Sequence, residues 1–196
     1  MTDRRTAILE AAARTIARRG VRGLRTEELA TEAGVSTALV YYHFKDRAGI
    51  LRHTLEFITH RAKQHSLAPQ GTDDPLDPRE LLAMALQLEF QDLPEVRENT
   101  TAWGELRASA IFEPDLREVL ATASAAWVRH VAGLLTLARP TASTAELAAS
   151  AERLTALREG LDARRLSGVL RPDHARELLG EAIEVELAHL TAHARP

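Results

Sequence analysis

At 196 residues and 21.6 kDa the chain is long enough to bury a sizeable core without cross-links or metal. It has no cysteine, which excludes disulfides, thiolate zinc sites, iron–sulfur clusters and cysteine nucleophiles, and makes a reducing cytoplasm the expected home. The net charge of −3 conceals two opposite parts: residues 1–65 carry 12 Lys+Arg against 7 Asp+Glu, or +5, and the other 131 carry 13 against 21, or −8. That polarity is expected where only the first third meets a polyanion. The charged start Met1-Thr2-Asp3-Arg4-Arg5 and the lack of eighteen consecutive apolar residues lead us to expect neither secretion nor a membrane span. Aromatics make up only 4%, and Ala and Leu dominate the apolar share, so helices are favoured over strands.

From Arg4 to Arg19, Ile8, Leu9, Ala12, Ala13 and Ile16 recur at helical spacing, and Gly20 stops the run. A link, Val21 to Leu24, leads to a two-turn helix over Thr26 to Ala33. In the turn Gly34-Val35-Ser36, glycine permits positive φ, valine plugs the core and Ser36 caps the next helix, Thr37 to Phe44. Asp46 is the expected cap of a long fourth helix, 46–65, with the stripe Ile50, Leu51, Leu55 and Ile58. Ser66 to Pro78 reads as a surface loop. Five further helices are predicted at Pro78 to Gln91, Pro94 to Ile111, Pro114 to Ala138, Thr144 to Leu166 and Pro172 to His193, with prolines at first-turn positions. The fold class is all-α, with about nine helices. The expected organisation is two parts, 1–47 and 48–196, joined by the fourth helix.

Two short helices joined by a glycine turn after a longer one make a helix-turn-helix, whose second short helix enters the DNA major groove. At 100° per residue Val40 and Phe44 share the buried side with Val35. Ala38, Leu39 and Tyr42 centre on the opposite side, flanked by Thr37, Tyr41 and His43. Outward tyrosines on a merely solvated helix are unexplained, and a ligand or a nucleic acid explains them.

The run Leu29-Ala30-Thr31-Glu32-Ala33-Gly34-Val35-Ser36, followed by Val40-Tyr41-Tyr42-His43-Phe44-Lys45-Asp46-Arg47 and Ile50-Leu51, resembles the N-terminal domain of TetR-family transcriptional regulators. The resemblance implies that Tyr41 and Tyr42 contact phosphate, sugar or thymine methyls, and that Lys45 and Arg47 grip phosphates beside the N-terminus of the fourth helix. Ser36, Thr37, Ala38 and Leu39 fall nearest the base edges. None of them is Arg, Asn or Gln, so no bidentate reading of guanine or adenine is available there. Where the family places a threonine at the start of the second helix this chain has Arg25, with Thr26 next: either Thr26 caps one residue later or Arg25 replaces the phosphate contact. Arg4, Arg5 and Arg22 are further candidates for phosphate contacts.

The same resemblance implies a homodimer, a small-molecule effector and a double-stranded operator. Leu154, Leu157 and Leu161, with Leu178, Leu179, Ile183, Leu187 and Leu190, form the stripes expected at the dimer interface, where Gly160 and Gly180 allow close approach; the alternative is that both stripes face the chain's own core. Gln87, Phe90, Trp103, Glu105, Arg107, Phe112, Trp127 and His130 suit a ligand pocket, and equally a plain core. Enzyme signatures are missing: there is no phosphate loop, and neither Glu186, His189 and His193 nor His53, Glu56 and His60 makes the zinc-protease arrangement, so no cofactor or metal is expected. The competing function is a helical interaction module without DNA binding, which leaves the basic third and the outward tyrosines without explanation.

Overall fold

In the structure, a computed structural model, residues 3–66 and 77–192 are described. Most of the expected loop between Ser66 and Pro78, and His193, lie outside them. The described residues form α1 (Arg4–Arg19), α2 (Thr26–Ala33), α3 (Thr37–Phe44), α4 (Arg47–Ser66), α5 (Pro78–Gln87), α6 (Pro94–Ser109), α7 (Pro114–Ala138), α8 (Thr144–Leu166) and α9 (Pro172–Ala192), with no strand among them. Three of the ends that differ from expectation do so for a local reason. Asp46 lies outside α4 because its carboxylate caps that helix, accepting from Gly49 N–H at 2.7 Å. The helix begun at Pro78 tightens into a 3-10 turn at Leu88–Phe90, which buries Phe90 and turns its carbonyl toward Arg176 Nη1 at 2.9 Å. α6 stops at Ser109, and Arg117 of α7 satisfies the carbonyls beyond it, reaching Ala110 O at 3.1 Å and Ile111 O at 2.9 Å.

The chain divides into two compact units, one within Met1–Leu67 and Arg97–Ala123, the other within Ala68–Val96 and Ser124–Pro196. By packing, α4 and residues 97–123 belong with the N-terminal helices. The core of the first unit is built from α1 (Ile8, Leu9, Ala12, Ile16), Leu29, Val40, Phe44 and the α4 stripe Ile50, Leu51, Leu55 and Ile58, with Ala102, Leu106 and Leu116. Each fully buried aliphatic side chain contributes about 1.5–3 kcal/mol. The second core gathers Leu82, Leu86, Phe90, Val131, Leu135, Leu147, Ala151, Leu154, Leu161, Leu179, Ile183, Leu187 and Leu190. By length and composition alone α7 is long and apolar enough to cross a membrane. It nevertheless buries Leu116 in the first core and Val131 and Leu135 in the second, and carries Arg129 and His130 near its middle.

Charge pairs fasten neighbouring helices within each unit. Glu32 of α2 accepts from Arg14 Nε at 3.1 Å, Thr15 Oγ1 at 3.1 Å and Arg18, and Arg19 pairs with Glu28. Burial pushes the Glu32 carboxyl up, but hydrogen bonds from Arg14 and Thr15 and the charges of Arg18 and Arg14 outweigh it and hold the carboxyl below its ordinary value. In the second unit Arg153 of α8 grips Glu186 of α9 through two bonds of 2.6 Å. That hydrogen bond comes first in lowering the Glu186 carboxyl, against the opposing effect of burial.

A carboxylate held low contributes stability that is present above its unfolded value and lost as pH falls through its folded one. Arg153→Ala is expected to cost up to about 1 kcal/mol at pH 7. The difference in Tm from the parent should shrink as pH falls below the ordinary 4.5 of the Glu186 carboxyl. Thermal melts between pH 7 and 3 that keep a constant offset would show that the pair contributes nothing through ionisation.

Candidate nucleic-acid interface and ligand-binding residues

At eight residues α3 is too short to be helical on its own, so its position has to come from its surroundings. Val40 at 0% and Phe44 at 2% exposure anchor one face in the first core, with Val35 packed against it and the Arg5 guanidinium 5.6 Å from the Phe44 ring centroid. The entry is fixed by Gly34, left-handed at φ 66°, ψ 35°. There Val35 N–H donates to Ala30 O at 2.9 Å and Gly34 N–H to Thr31 O at 3.2 Å, a Schellman closure of α2. Ser36 Oγ then accepts from Leu39 N–H at 3.2 Å, the expected cap, worth about 1 kcal/mol.

The exit is as tightly constrained. Lys45 takes φ 67°, ψ −56°, and Asp46 N–H donates to Phe44 O at 2.8 Å across it, a γ-turn. A Cβ at Gly49 would run into the Phe44 carbonyl oxygen, so only glycine lets α4 start this close to the end of α3. Between these two junctions Tyr42 is 80% exposed and Tyr41 47%, Ser36, Thr37 and Ala38 are exposed, and Leu39 and His43 are half-buried. The face derived from helical spacing is thus the face left to solvent, and the His43 ring lies 5.3 Å from that of Tyr42.

Two charged candidates stand differently from the sequence reading. Arg47, expected on a phosphate, donates from Nη2 to Val21 O at 2.9 Å and pairs through Nη1 with Glu113 Oε1 at 3.1 Å. Its side chain is about two-fifths exposed, and its guanidinium is engaged on the chain itself. At the start of α2 the N-cap is Arg25, whose side chain makes no capping bond, and Thr26 is the first helical residue, so Thr26 does not cap one residue later. Arg22, Arg25 and Lys45 are exposed, with no carboxylate partner among the described residues.

The ligand-binding candidates fall in different units. Trp103, Arg107 and Phe112 belong to the first: Trp103 packs against its core, whereas Phe112 is 78% exposed. Glu105, in the same unit, accepts from Val21 N–H at 3.2 Å. Gln87, Phe90, Trp127 and His130 belong to the second, where Trp127 and His130 have ring centroids 5.6 Å apart. Of the dimer candidates, Leu154, Leu161, Leu179, Ile183, Leu187 and Leu190 fill the core of their own chain, because both stripes face inward; only Leu157, 37% exposed, looks outward. Gly160 has open space beside it, while Gly180 lies near Gln87. His53 Nδ1 is 2.8 Å from Glu56, and no metal-holding group of three or more His, Asp or Glu occurs among the described residues.

Sequence reasoning missed the buried charges of α8. Arg158 is buried against Glu89, and Arg165 Nη2 pairs with Asp162 at 2.7 Å. The signal was present: Arg158 and Arg165 interrupt the spacing of Leu154 and Leu161 on one helix face.

A short helix locked at both ends, its tyrosines bared, within an all-helical chain, defines a helix-turn-helix DNA-binding regulator. Residues 8–54 match the family model of bacterial regulatory proteins of the tetR family, and residues 78–188 match that of the C-terminal part of BetI-type transcriptional repressors. The chain belongs to the TetR family of transcriptional regulators, whose members act on DNA without catalysis. A TetR-family regulator from Rhodococcus sp. is 44% identical with a TM-score of 0.84, covering 95% of this chain and 100% of that one. A transcriptional regulator from Saccharomonospora viridis, solved in complex with choline, is 29% identical with a TM-score of 0.80, covering 92% and 95%. The transcriptional regulator BetI of Brucella anthropi is 28% identical over 187 residues, 94% of this chain and 93% of its own.

Gly49→Ala is expected to cost about 1–3 kcal/mol through the forced shift of the α3–α4 junction, read as a lower Tm. An unchanged melt would show that the junction is not confined as described. Tyr42→Ala should leave the Tm unchanged and weaken operator binding by about tenfold to a hundredfold. A variant that protects its operator like the parent would remove Tyr42 from the interface.

Proposed function

We propose that the protein is a homodimeric repressor that holds a two-fold operator with two copies of α3 in successive major grooves and is released by a small-molecule ligand. Residues 1–47 meet DNA and residues 48–196 bind ligand and dimerise, in a reducing cytoplasm. The observation that carries this reading is the outward face of α3, where Tyr42 at 80% and Tyr41 at 47% exposure stand between two rigid turns. Lys45 supplies a phosphate contact at the end of α3 and Arg25 one at the start of α2, with Arg47 available if it leaves Glu113. Ser36, Thr37, Ala38 and Leu39 read the bases through single hydrogen bonds and thymine methyls, since none offers a bidentate pair.

A helix-turn-helix of this size binds weakly alone, and two copies on one duplex gain through effective concentration. With the leucine stripes buried in the chain's own core, the dimer surface is assigned to the outward faces of α8 and α9, where Leu157, the open side of Gly160 and Val185 lie. Release by ligand is supported by the match to BetI-type repressors and by the choline complex of the Saccharomonospora relative. α4 is the route of transmission. It is tied to residues 97–123 near both ends, by Arg47 to Glu113 at 3.1 Å and by Arg61 Nε to Asn99 Oδ1 at 2.9 Å, so a shift of that segment re-aims the recognition helix.

Fluorescence anisotropy against duplex from immediately upstream of the protein's own gene, with a scrambled control between 50 and 200 mM salt, tests the reading. Preferential binding of two chains per duplex with a steep salt slope is expected. No binding to either duplex even at low salt would shift the assignment to a helical interaction module.

A further inference from the structure

The second unit contains a cluster of buried donors that the chain itself leaves unanswered. Trp127 Nε1, Thr155 Oγ1 and Arg158 Nε are buried and have no hydrogen-bond partner among the described residues. Thr155 and Arg158 stand one turn apart on the inner face of α8, each 5% exposed. The Arg158 guanidinium carbon lies 5.0 Å from the centroid of the Trp127 indole. Arg158 of α8 thus meets Trp127 of α7, with Thr155 one turn before it on the same face.

Their chemistry is one-sided. An indole N–H and a guanidinium Nε–H only donate, and a threonine hydroxyl donates as readily as it accepts. The carboxylates near them are already occupied: Glu89 takes Nη1 of Arg158, and Asp162 takes Arg165 at 2.7 and 3.0 Å. Orphaned buried donors are rare in folded proteins and point to a missing acceptor. Arg158 also occupies the place over the Trp127 ring where a quaternary ammonium would rest. Choline, the ligand of the Saccharomonospora relative, would have to displace it and would bring a single hydroxyl to three donors.

We propose that Trp127, Thr155 and Arg158 bind a small-molecule carboxylate, whose oxygens accept from the indole N–H, the guanidinium Nε–H and the threonine hydroxyl. The site rests on the reading of the C-terminal domain as a ligand sensor and names the ligand's chemistry: anionic and oxygen-bearing, with an apolar remainder that suits the leucine-lined core around it. Charge assistance from Arg158 makes these bonds stronger than those between neutral groups.

The test is isothermal titration of the full chain with sodium acetate, butyrate, octanoate and benzoate, with choline chloride and sodium chloride as comparators. At least one carboxylate is expected to bind saturably and sodium chloride not at all. Arg158→Gln should abolish binding. Because that variant also unpairs Glu89 and risks the fold, Thr155→Val and Trp127→Phe are measured beside it: the first removes one donor with little change of shape, the second removes the indole N–H while keeping an aromatic ring, and each should weaken binding about tenfold. Saturable binding of choline alone, no saturable carboxylate, or carboxylate binding unchanged in both conservative variants would overturn the site. Operator release is read separately by anisotropy. A carboxylate that binds through these residues and leaves the operator complex intact sinks the release mechanism and keeps the site. Release that does not need Thr155 and Trp127 sinks the site and keeps the mechanism.

Discussion

The burial of Val40 and Phe44 is the interaction on which the DNA-facing half depends. An isolated two-turn helix does not survive in water. α3 exists because these two side chains enter the core made by α1, Leu29 and the α4 stripe, and because turns at both ends leave it no alternative register. The left-handed Lys45 carries a backbone cost of about 1–3 kcal/mol. The contacts that offset it, Asp46 on Gly49 N–H and the close start of α4 on the Phe44 carbonyl, are those that aim the helix. Rigidity here matters to function because a recognition helix that wandered would lose its ordering free energy on every binding event.

The basic character of the first third is divided between two uses. Arg14, Arg18 and Arg19 face Glu28 and Glu32 and fasten α1 to α2, and Arg47 faces Glu113. Exposed pairs of this kind add little stability, but they withdraw those cations from a diffuse positive field. Arg22, Arg25 and Lys45 remain exposed beside the turns of the helix-turn-helix, and in the proposed function they meet phosphates there. Arg47 connects the two uses. In the proposed function, a guanidinium shared between Glu113 and an operator phosphate would link the state of the segment after Arg97 to the grip on DNA.

In the second unit the charges are placed inside. Arg158 with Glu89, and Arg165 with Asp162, sit along the same face of α8 as Leu154 and Leu161. Burial pushes the Arg158 guanidinium down from its ordinary range, while Glu159 and Asp162 pull it back. A buried pair of this kind is a poor source of stability when an apolar pair of similar volume would serve. Together with unanswered donors on Trp127, Thr155 and Arg158 itself, its place in the core is better explained by a ligand than by folding.

The sequence by itself determined the all-helical fold and most helix limits, since apolar spacing, glycine stops and first-turn prolines act through neighbours within a few residues. It also determined the two faces of α3, because 100° per residue and two large apolar side chains leave a single inward direction. What only the tertiary structure decided was which partner each polar or apolar face meets. Spacing alone could not tell whether the leucines of α8 and α9 meet another chain or their own core, and they meet their own. Nor did it pair Arg47 with Glu113, 66 residues away, or show that Gly49 is required by the Phe44 carbonyl. These depend on distances between elements, which local periodicity does not encode and packing of the whole unit sets.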